Sequence, residues 1–362
     1  MITEKEYQTM LLASLHLPDD HRRLYYNLFG RQSVCKLFFF GGSITVGFEG
    51  DHYICPYPDL IQRNLNQMGI TSTIHNYSSC SFHSHLGIAL LQQVLKVHVP
   101  DLLILEYAVN NGYEKEYVAS FEGMIRKTLQ ANPLASIIIL CTCDENGYGC
   151  DNYMVAIADH YHLPVILIKN LLKTGATFGF QWTDYSNDHC HPTKFGQQLI
   201  ADCFRELFYQ IKKGSINSLV DRAIPSLPSQ PYFSSHYETA LFEPLCKECA
   251  IHEFQPLNNA SPFSNIIYRL LYNTQPMELE FVCETIYLLY EQNYDLTSSG
   301  QLKIWVDSNP SSICIDSYSI FGWDCSSIVP LLVDTPGTHH LKLQLKSNHP
   351  KKCFKIYGFL FF

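Results

Sequence analysis

KLFFFGGSIT, residues 36–45, is the stretch whose reading decides the fold. Lys36-Leu-Phe-Phe-Phe40 is a short, continuous apolar run that stops at Gly41-Gly42. A strand that is apolar at nearly every position has both faces buried, which marks a parallel sheet covered by helices. Working outward, Leu102 to Val109, Ser136 to Cys141 and Pro164 to Ile168 repeat the pattern, and Thr73-Ile-His-Asn-Tyr77 is a weaker instance. Helical stretches fall between them, at Tyr57–Met68, Leu86–Val97, Val118–Leu129 and Asn152–Tyr161, with a last one from about Thr193 to Ile211. This alternation predicts an α/β unit with a five-stranded parallel sheet.

The flanks read differently. Residues 1–33 form a helical lead, with Met10, Leu11, Leu15, Leu24, Tyr25, Leu28 and Phe29 as its apolar positions. After Lys212-Lys213-Gly214 the segment 214–235 carries Pro225, Pro228, Pro231 and several serines, and reads as a linker. Beyond it come short strands with turn signals: Asn265–Leu271, Leu279–Val282, Ile286–Tyr290, Leu302–Val306, Ile313–Ile315, His340–Leu345 and Phe354–Leu360. That grammar predicts an antiparallel β-sandwich over 236–362. The expected domains are therefore 1–33, a catalytic unit at 34–213, the linker 214–235 and an accessory sandwich.

Composition bounds the function. A chain of 362 residues is long for a single core. Hydrophobic residues make up 46% and charged residues 16%, which excludes a disordered chain. A net charge of -9 argues against nucleic acid as a partner. Aromatic residues at 13%, with 23 Tyr and 22 Phe, suit both sheet cores and sugar-stacking surfaces. Glu4, Lys5 and Glu6 stand where a signal peptide would have a basic region, and no run approaches the length of a membrane span. The expectation is a cytoplasmic chain whose 14 Cys are buried thiols in a reducing compartment. Cys246 with Cys249, and Cys141 with Cys143 and Cys150, are possible metal ligands, but neither group has a second pair at zinc-site spacing. No metal and no cofactor is expected.

In an open parallel sheet, reactive groups belong at the carboxyl ends of the strands. The first strand delivers Gly41-Gly42-Ser43, the second Asn76 to Ser81, and the third Asn110-Asn111-Gly112. The fifth is followed by Asn187-Asp188-His189-Cys190-His191-Pro192. Taken singly these read as a helix cap, turns and ordinary histidines. Together they supply the parts of acyl transfer. A serine hydroxyl needs a base, histidine suits that role near neutrality, and the histidine needs a carboxylate to fix its tautomer. Ser43 is the expected nucleophile, His191 the base and Asp188 its partner, in preference to Asp184 or His189. Backbone N–H groups of Ser43 and Ser81, with the Asn110 side chain, are the expected oxyanion donors.

These residues resemble the sequence blocks of the SGNH (GDSL-like) hydrolases. Gly41-Gly42-Ser43-Ile44-Thr45 is similar to the first block, with Gly42 where the family usually has Asp. Glu106-Tyr-Ala-Val-Asn110-Asn111 is similar to the third, with Asn111 in place of Asp. Asp188-His-Cys-His191-Pro192 is similar to the fifth, and Ser81 stands at the glycine of the second. The resemblance spans roughly residues 34–213. It implies a flavodoxin-like three-layer sandwich, an acyl-serine intermediate and no metal. The C-terminal region is more loosely similar to β-sandwich domains attached to some bacterial members, at Ile304 to Asp307 and Gly337 to Leu343.

The resulting expectation is a serine esterase that removes a small acyl group, acetyl first, from an O-acylated carbohydrate. Two alternatives stand beside it: a carbohydrate O-acetyltransferase using the same three residues, and a non-catalytic carbohydrate-binding protein. The sequence leaves the oligomeric state open.

Overall fold

The computed structural model of the chain describes residues 2–49, 52–214, 226–245, 263, 268–271, 276–347, 349 and 351–362. Cys246, Cys249, Pro225 and the start of the strand expected at Asn265–Leu271 lie outside the described residues. The chain forms two compact units, residues 1–87 with 95–235, and residues 88–94 with 236–362.

The strands of the first unit are β1 (Leu15–His16), β2 (Cys35–Gly41), β3 (Phe48–Glu49), β4 (His52–Tyr53), β5 (Ser72–Asn76), β6 (Leu102–Glu106), β7 (Ser136–Cys141) and β8 (Val165–Leu167). Five of them pair in parallel in the order β5-β2-β6-β7-β8. Counted along the chain that order is 2-1-3-4-5, the flavodoxin-like winding, in which the strand order reverses beside the first strand. A sixth strand extends the five expected from sequence. Within the stretch read as a helical lead, β1 pairs antiparallel with β8 through Leu15↔Ile166 and His16↔Val165. Two residues are too few to show a period of two in sequence, and their conformation is set by the sheet edge they meet.

The helices are α1 (Glu4–Ala13), α2 (Arg22–Tyr25), α3 (Ser43–Val46), α4 (Tyr57–Gln67), α5 (Ser84–Leu95), α6 (Lys115–Ala131), α7 (Asp151–Tyr161), α8 (Ile168–Ala176), α9 (Trp182–Tyr185) and α10 (Lys194–Gly214). A capping box between Thr3 and Glu6 starts α1. Helices α1, α4, α8 and α10 share one buried cluster with β2 residues Leu37 and Phe39, β6 residues Leu102 and Ile104, and β7 residues Ile138 and Leu140. Strand alternation sends Phe38 and Phe40 to the other face, where both rings meet Tyr77. Helix α8 was not expected. It begins directly at Ile168, with no loop after β8, so the apolar run of the strand masks the helix start.

The second unit holds α11 (His236–Thr239), β9 (Leu241–Pro244), β10 (Tyr268–Leu271), β11 (Met277–Cys283), β12 (Ile286–Asn293), β13 (Gln301–Val306), β14 (Ile313–Asp316), β15 (Trp323–Leu332), β16 (Gly337–Lys346) and β17 (Cys353–Phe361). They form two antiparallel sheets, β10-β17-β12-β15 with β9 on β17, and β11-β16-β13-β14. Leu288 and Ile356 of one sheet and Leu302, Ile304 and Leu343 of the other lie in a single buried cluster. That is a β-sandwich core. No helix among the described residues is long and apolar enough to cross a membrane.

Candidate active site

β2 ends at Gly41, Gly42 caps α3 in an extended conformation, and Ser43 is the first helical residue. Both glycines are there for room. A Cβ on Gly41 would meet Thr45 Oγ1 at 2.3 Å, and one on Gly42 would meet Asn110 Oδ1 at 2.1 Å. The short helix stops at Gly47, whose φ of +96° is a left-handed turn that glycine adopts without strain.

Side chains from four other elements hold this turn. The Asn76 amide donates to the Thr45 carbonyl at 3.1 Å. Buried Gln197 of α10 donates to the Ile44 carbonyl at 3.0 Å and accepts from the Tyr57 amide at 2.8 Å. Tyr57 Oη lies 2.8 Å from Thr45 Oγ1. Glu106, the last residue of β6, accepts from the Gly42 amide at 3.3 Å and from the Thr45 hydroxyl at 2.9 Å. Its other oxygen accepts from Thr142 Oγ1 at 2.7 Å. Burial pushes the Glu106 carboxyl up to about 7 against the pull of those hydrogen bonds.

Ser43 Oγ lies 2.8 Å from His191 Nε2, and His191 Nδ1 lies 2.8 Å from Asp188 Oδ2. The carboxylate accepts at Nδ1–H, so Nε2 presents its lone pair to the serine hydroxyl. Asp188 Oδ1 takes the backbone amides of Cys190 at 2.8 Å and His191 at 2.7 Å. Burial raises the Asp188 pKa, but those two amides and the imidazole outweigh it, and the carboxyl sits below its ordinary range. A spacing of three residues lets one carboxylate bond both the ring and the backbone of the same histidine. The loop is fixed from beneath by buried Ser186, whose hydroxyl donates to the His191 carbonyl at 2.7 Å, and by Trp182 Nε1, which donates to the Asp188 carbonyl at 2.7 Å. Glu49 on the β3–β4 ribbon accepts from Asn187 Nδ2 at 3.1 Å and from the Lys194 amide at 3.2 Å.

The rejected pair points elsewhere. His189 Nδ1 meets Glu145 on the surface, and Asp184 accepts the Gln181 amide at the start of α9. Asn110 lies against Gly42, with its buried Oδ1 bonded to nothing among the described residues. Ser81 has a φ of +57°, the left-handed region that glycine favours. The serine thus holds a backbone that a glycine would adopt without strain. Asn111 is a clamp: its Oδ1 accepts the Ser84 amide at 2.9 Å and its Nδ2 donates to Tyr153 Oη at 2.9 Å. An aspartate could not make that second bond as a donor. Beside Ser81, His83 is half-buried and His85 buried, and desolvation lowers both, His83 to about 4, so they are neutral near pH 7.

Asp188, Cys190 and His191 bring three potential metal-ligand atoms within 4.8 Å of one another. Two of them are the hydrogen-bonded pair itself, and the Cys190 thiol is pushed up by burial to about 12. The donor set therefore suits a proton relay better than a cation. Cys141, Cys143 and Cys150 are buried, and burial raises all three thiols.

The sequence reading missed Glu106, Gln197, Asn76 and Ser186 as supports of the site. Glu106 carried a signal, a carboxyl closing an otherwise apolar strand. The other three are common polar residues whose partners lie far along the chain.

The fold is thus an α/β unit of flavodoxin-like winding followed by a β-sandwich unit, with a serine, a histidine and an aspartate hydrogen-bonded in series at the strand ends of the first. No family model matches the chain, and no curated protein matches it. The chain is similar to two crystal structures of a two-domain esterase active on acetylated mannans, one co-crystallised with mannopentaose. The TM-score is 0.81 in both cases, covering 97% of this chain and 97% of the other, at 17% identity for the mannopentaose complex and 18% for the other structure.

Proposed function

We propose that this chain is a serine carboxylic-ester hydrolase that releases a small acyl group, acetyl first, from an O-acylated carbohydrate. The observation that carries the reading is the unbroken series Ser43 Oγ, His191 Nε2, His191 Nδ1, Asp188 Oδ2, with 2.8 Å at each of its two hydrogen bonds. Nothing in that geometry requires a change of rotamer before proton transfer.

In the first half-reaction His191 takes the proton of Ser43 as Oγ attacks the ester carbonyl, and Asp188 stabilises the imidazolium that forms. The backbone N–H groups of Ser43 and Ser81 meet no backbone acceptor among the described residues. With the Asn110 amide they would receive the oxyanion. His191 then returns its proton to the departing sugar oxygen. In the second half-reaction His191 activates water, which attacks the acyl-serine, and the acid leaves as Ser43 regains its proton.

Carbohydrate as substrate is supported by the likeness of the whole fold to an esterase active on acetylated mannans. Hydrolysis is favoured over transfer because the sequence has no phosphate-binding glycine loop for a nucleotide-bearing acyl donor. The domain assignment proposed with it is 34–213 for catalysis and 236–362 for an accessory role.

A partition experiment tests the reading. The chain is given an acetyl ester with and without mannan oligosaccharide, and free acetate is quantified against acetylated sugar. Acetate should dominate in both arms. Acetylated sugar dominating in the second arm would install the transferase, and an inert chain that still binds the oligosaccharide would install the binding protein.

A further inference from the structure

Glu106 is a carboxyl with no exposed surface and, among the described residues, no cation beside it. Its partners are hydrogen-bond donors, and two of them, the Gly42 amide and the Thr45 hydroxyl, flank Ser43 in sequence. The same oxygen, Oε2, takes both. One atom therefore ties the residue before the nucleophile to the residue two after it.

We propose that Glu106 is a positioning residue for this reaction, and that gaining or losing its proton loosens or tightens the turn that presents Ser43. The proposal rests on the esterase reading above. As a carboxylate, Glu106 accepts from Gly42 N–H, Thr45 O–H and Thr142 O–H at once, and Tyr57 O–H is free to donate to Thr45 Oγ1 in turn. All four donors then have an acceptor. A protonated Glu106 must give its hydrogen to one of the two threonine oxygens. That threonine hydroxyl loses its acceptor, and the charge assistance that strengthens the Gly42 and Thr45 bonds is gone.

The surroundings place this exchange within reach of ordinary pH. Burial holds the carboxyl at about 7, which is far from its usual range. The titratable groups that feel it are Tyr57 of α4, Tyr107 next in the chain, Cys141 of β7, Tyr185 of α9 and Cys190 of the histidine loop. All five are neutral hydroxyls or thiols raised chiefly by burial, so none supplies a compensating positive charge.

The test combines kinetics with a probe that needs no turnover. Gly41-Gly42 is the chain's single Gly-Gly pair. Labelling glycine with carbonyl ¹³C and amide ¹⁵N therefore isolates the Gly42 amide in one NMR correlation. The Gly42 resonance should titrate near neutrality in the wild-type chain and in His191→Ala, and should be flat in Glu106→Gln. In kinetics on an acetyl ester, the acid limb of log kcat against pH should be steeper in the wild type than in Glu106→Gln, with KM unchanged. Equal slopes, or a Gly42 titration that disappears with His191→Ala, would overturn the proposal. If Glu106→Gln does not fold, the wild-type and His191→Ala titrations decide alone. A chain inert to esters with the Gly42 titration intact would sink the esterase reading and leave the proton-linked hold of Glu106 on the turn standing.

Discussion

A Cβ on Gly42 would stand 2.1 Å from Asn110 Oδ1. The missing side chain of Gly42 thus leaves the space that the amide of Asn110, four residues past the end of β6, fills. Gly42→Ala should displace Asn110, and Asn110→Ala should delete it. Each is expected to lower kcat by about 10²- to 10³-fold, the usual cost of one oxyanion donor. The double variant should be no worse than the poorer single one, because both remove the same interaction. Steady-state kinetics of the three variants checks this. Additive losses, or a raised KM at unchanged kcat, would assign Asn110 to substrate placement instead.

Ser43→Ala should reduce ester turnover by about 10⁴- to 10⁶-fold, as loss of a nucleophile does in comparable relays. Its thermal unfolding should match the wild type, since the backbone bonds and side chains that hold the turn do not use Ser43 Oγ. Near wild-type turnover would remove Ser43 from the reaction.

Asp188→Asn and His189→Ala separate two neighbours. The first puts an N–H donor or a weak acceptor opposite His191 Nδ1 and should cost about 10⁴-fold in kcat by favouring the wrong tautomer. The second removes a histidine whose side chain is 85% exposed and paired with Glu145, and should leave kcat within about twofold. The reverse ranking would move the relay to His189.

The hydrogen-bonded series Ser43, His191, Asp188 was legible in the sequence because its groups are close in sequence or fall at strand ends. Asp188 and His191 lie within a few residues, and Ser43 follows an apolar run that could only be a buried strand. The parallel strands were legible for the same reason. What escaped depends on distant partners. Strand β1 exists because β8 offers an edge, and β15 is broken in sequence by Pro330, which is tolerated since β15 closes one side of its sheet. The hold of Glu106 on Gly42 and Thr45 spans more than sixty residues of chain. No spacing rule exposes it.

Ser81 tests whether its position needs a glycine-like backbone. With φ at +57°, a β-branched side chain is strained there. Ser81→Val should lower stability by about 1–3 kcal/mol, while Ser81→Gly should stay within about 1 kcal/mol of the wild type and keep its activity. Chemical denaturation of the two variants provides the comparison. A stable, active Ser81→Val would show that the loop relaxes away from this conformation.

The sandwich carries its own pH dependence. His339 Nδ1 lies 2.9 Å from Asp307 Oδ2 and its Nε2 lies 2.7 Å from the Thr335 carbonyl, so both ring nitrogens face acceptors and the ring is satisfied when charged. The hydrogen bond to Asp307 raises His339, and the same bond lowers Asp307. A raised histidine contributes stability that is complete below about 6.5 and is lost as pH climbs through its higher folded value. The lowered aspartate loses its share as pH falls below about 4. Asp307→Asn should therefore depress the melting temperature most near pH 6, and the gap should close toward pH 9. A gap constant across that range would mean the pair contributes through shape alone.

The Ser43–His191 contact joins residues 148 positions apart, whereas His191 and Asp188 are three apart. In the proposed reaction Ser43 therefore leaves the ribosome long before the histidine that would activate it. A nascent chain that has released β2 and α3 carries only an ordinary alcohol, unable to attack an ester, until some 150 further residues have been added. The late strands β7 and β8 and the histidine loop must then dock before acyl chemistry is possible. With the roles proposed above, a partly made chain that lacks His191 holds an unactivated serine, which protects it from acylating itself.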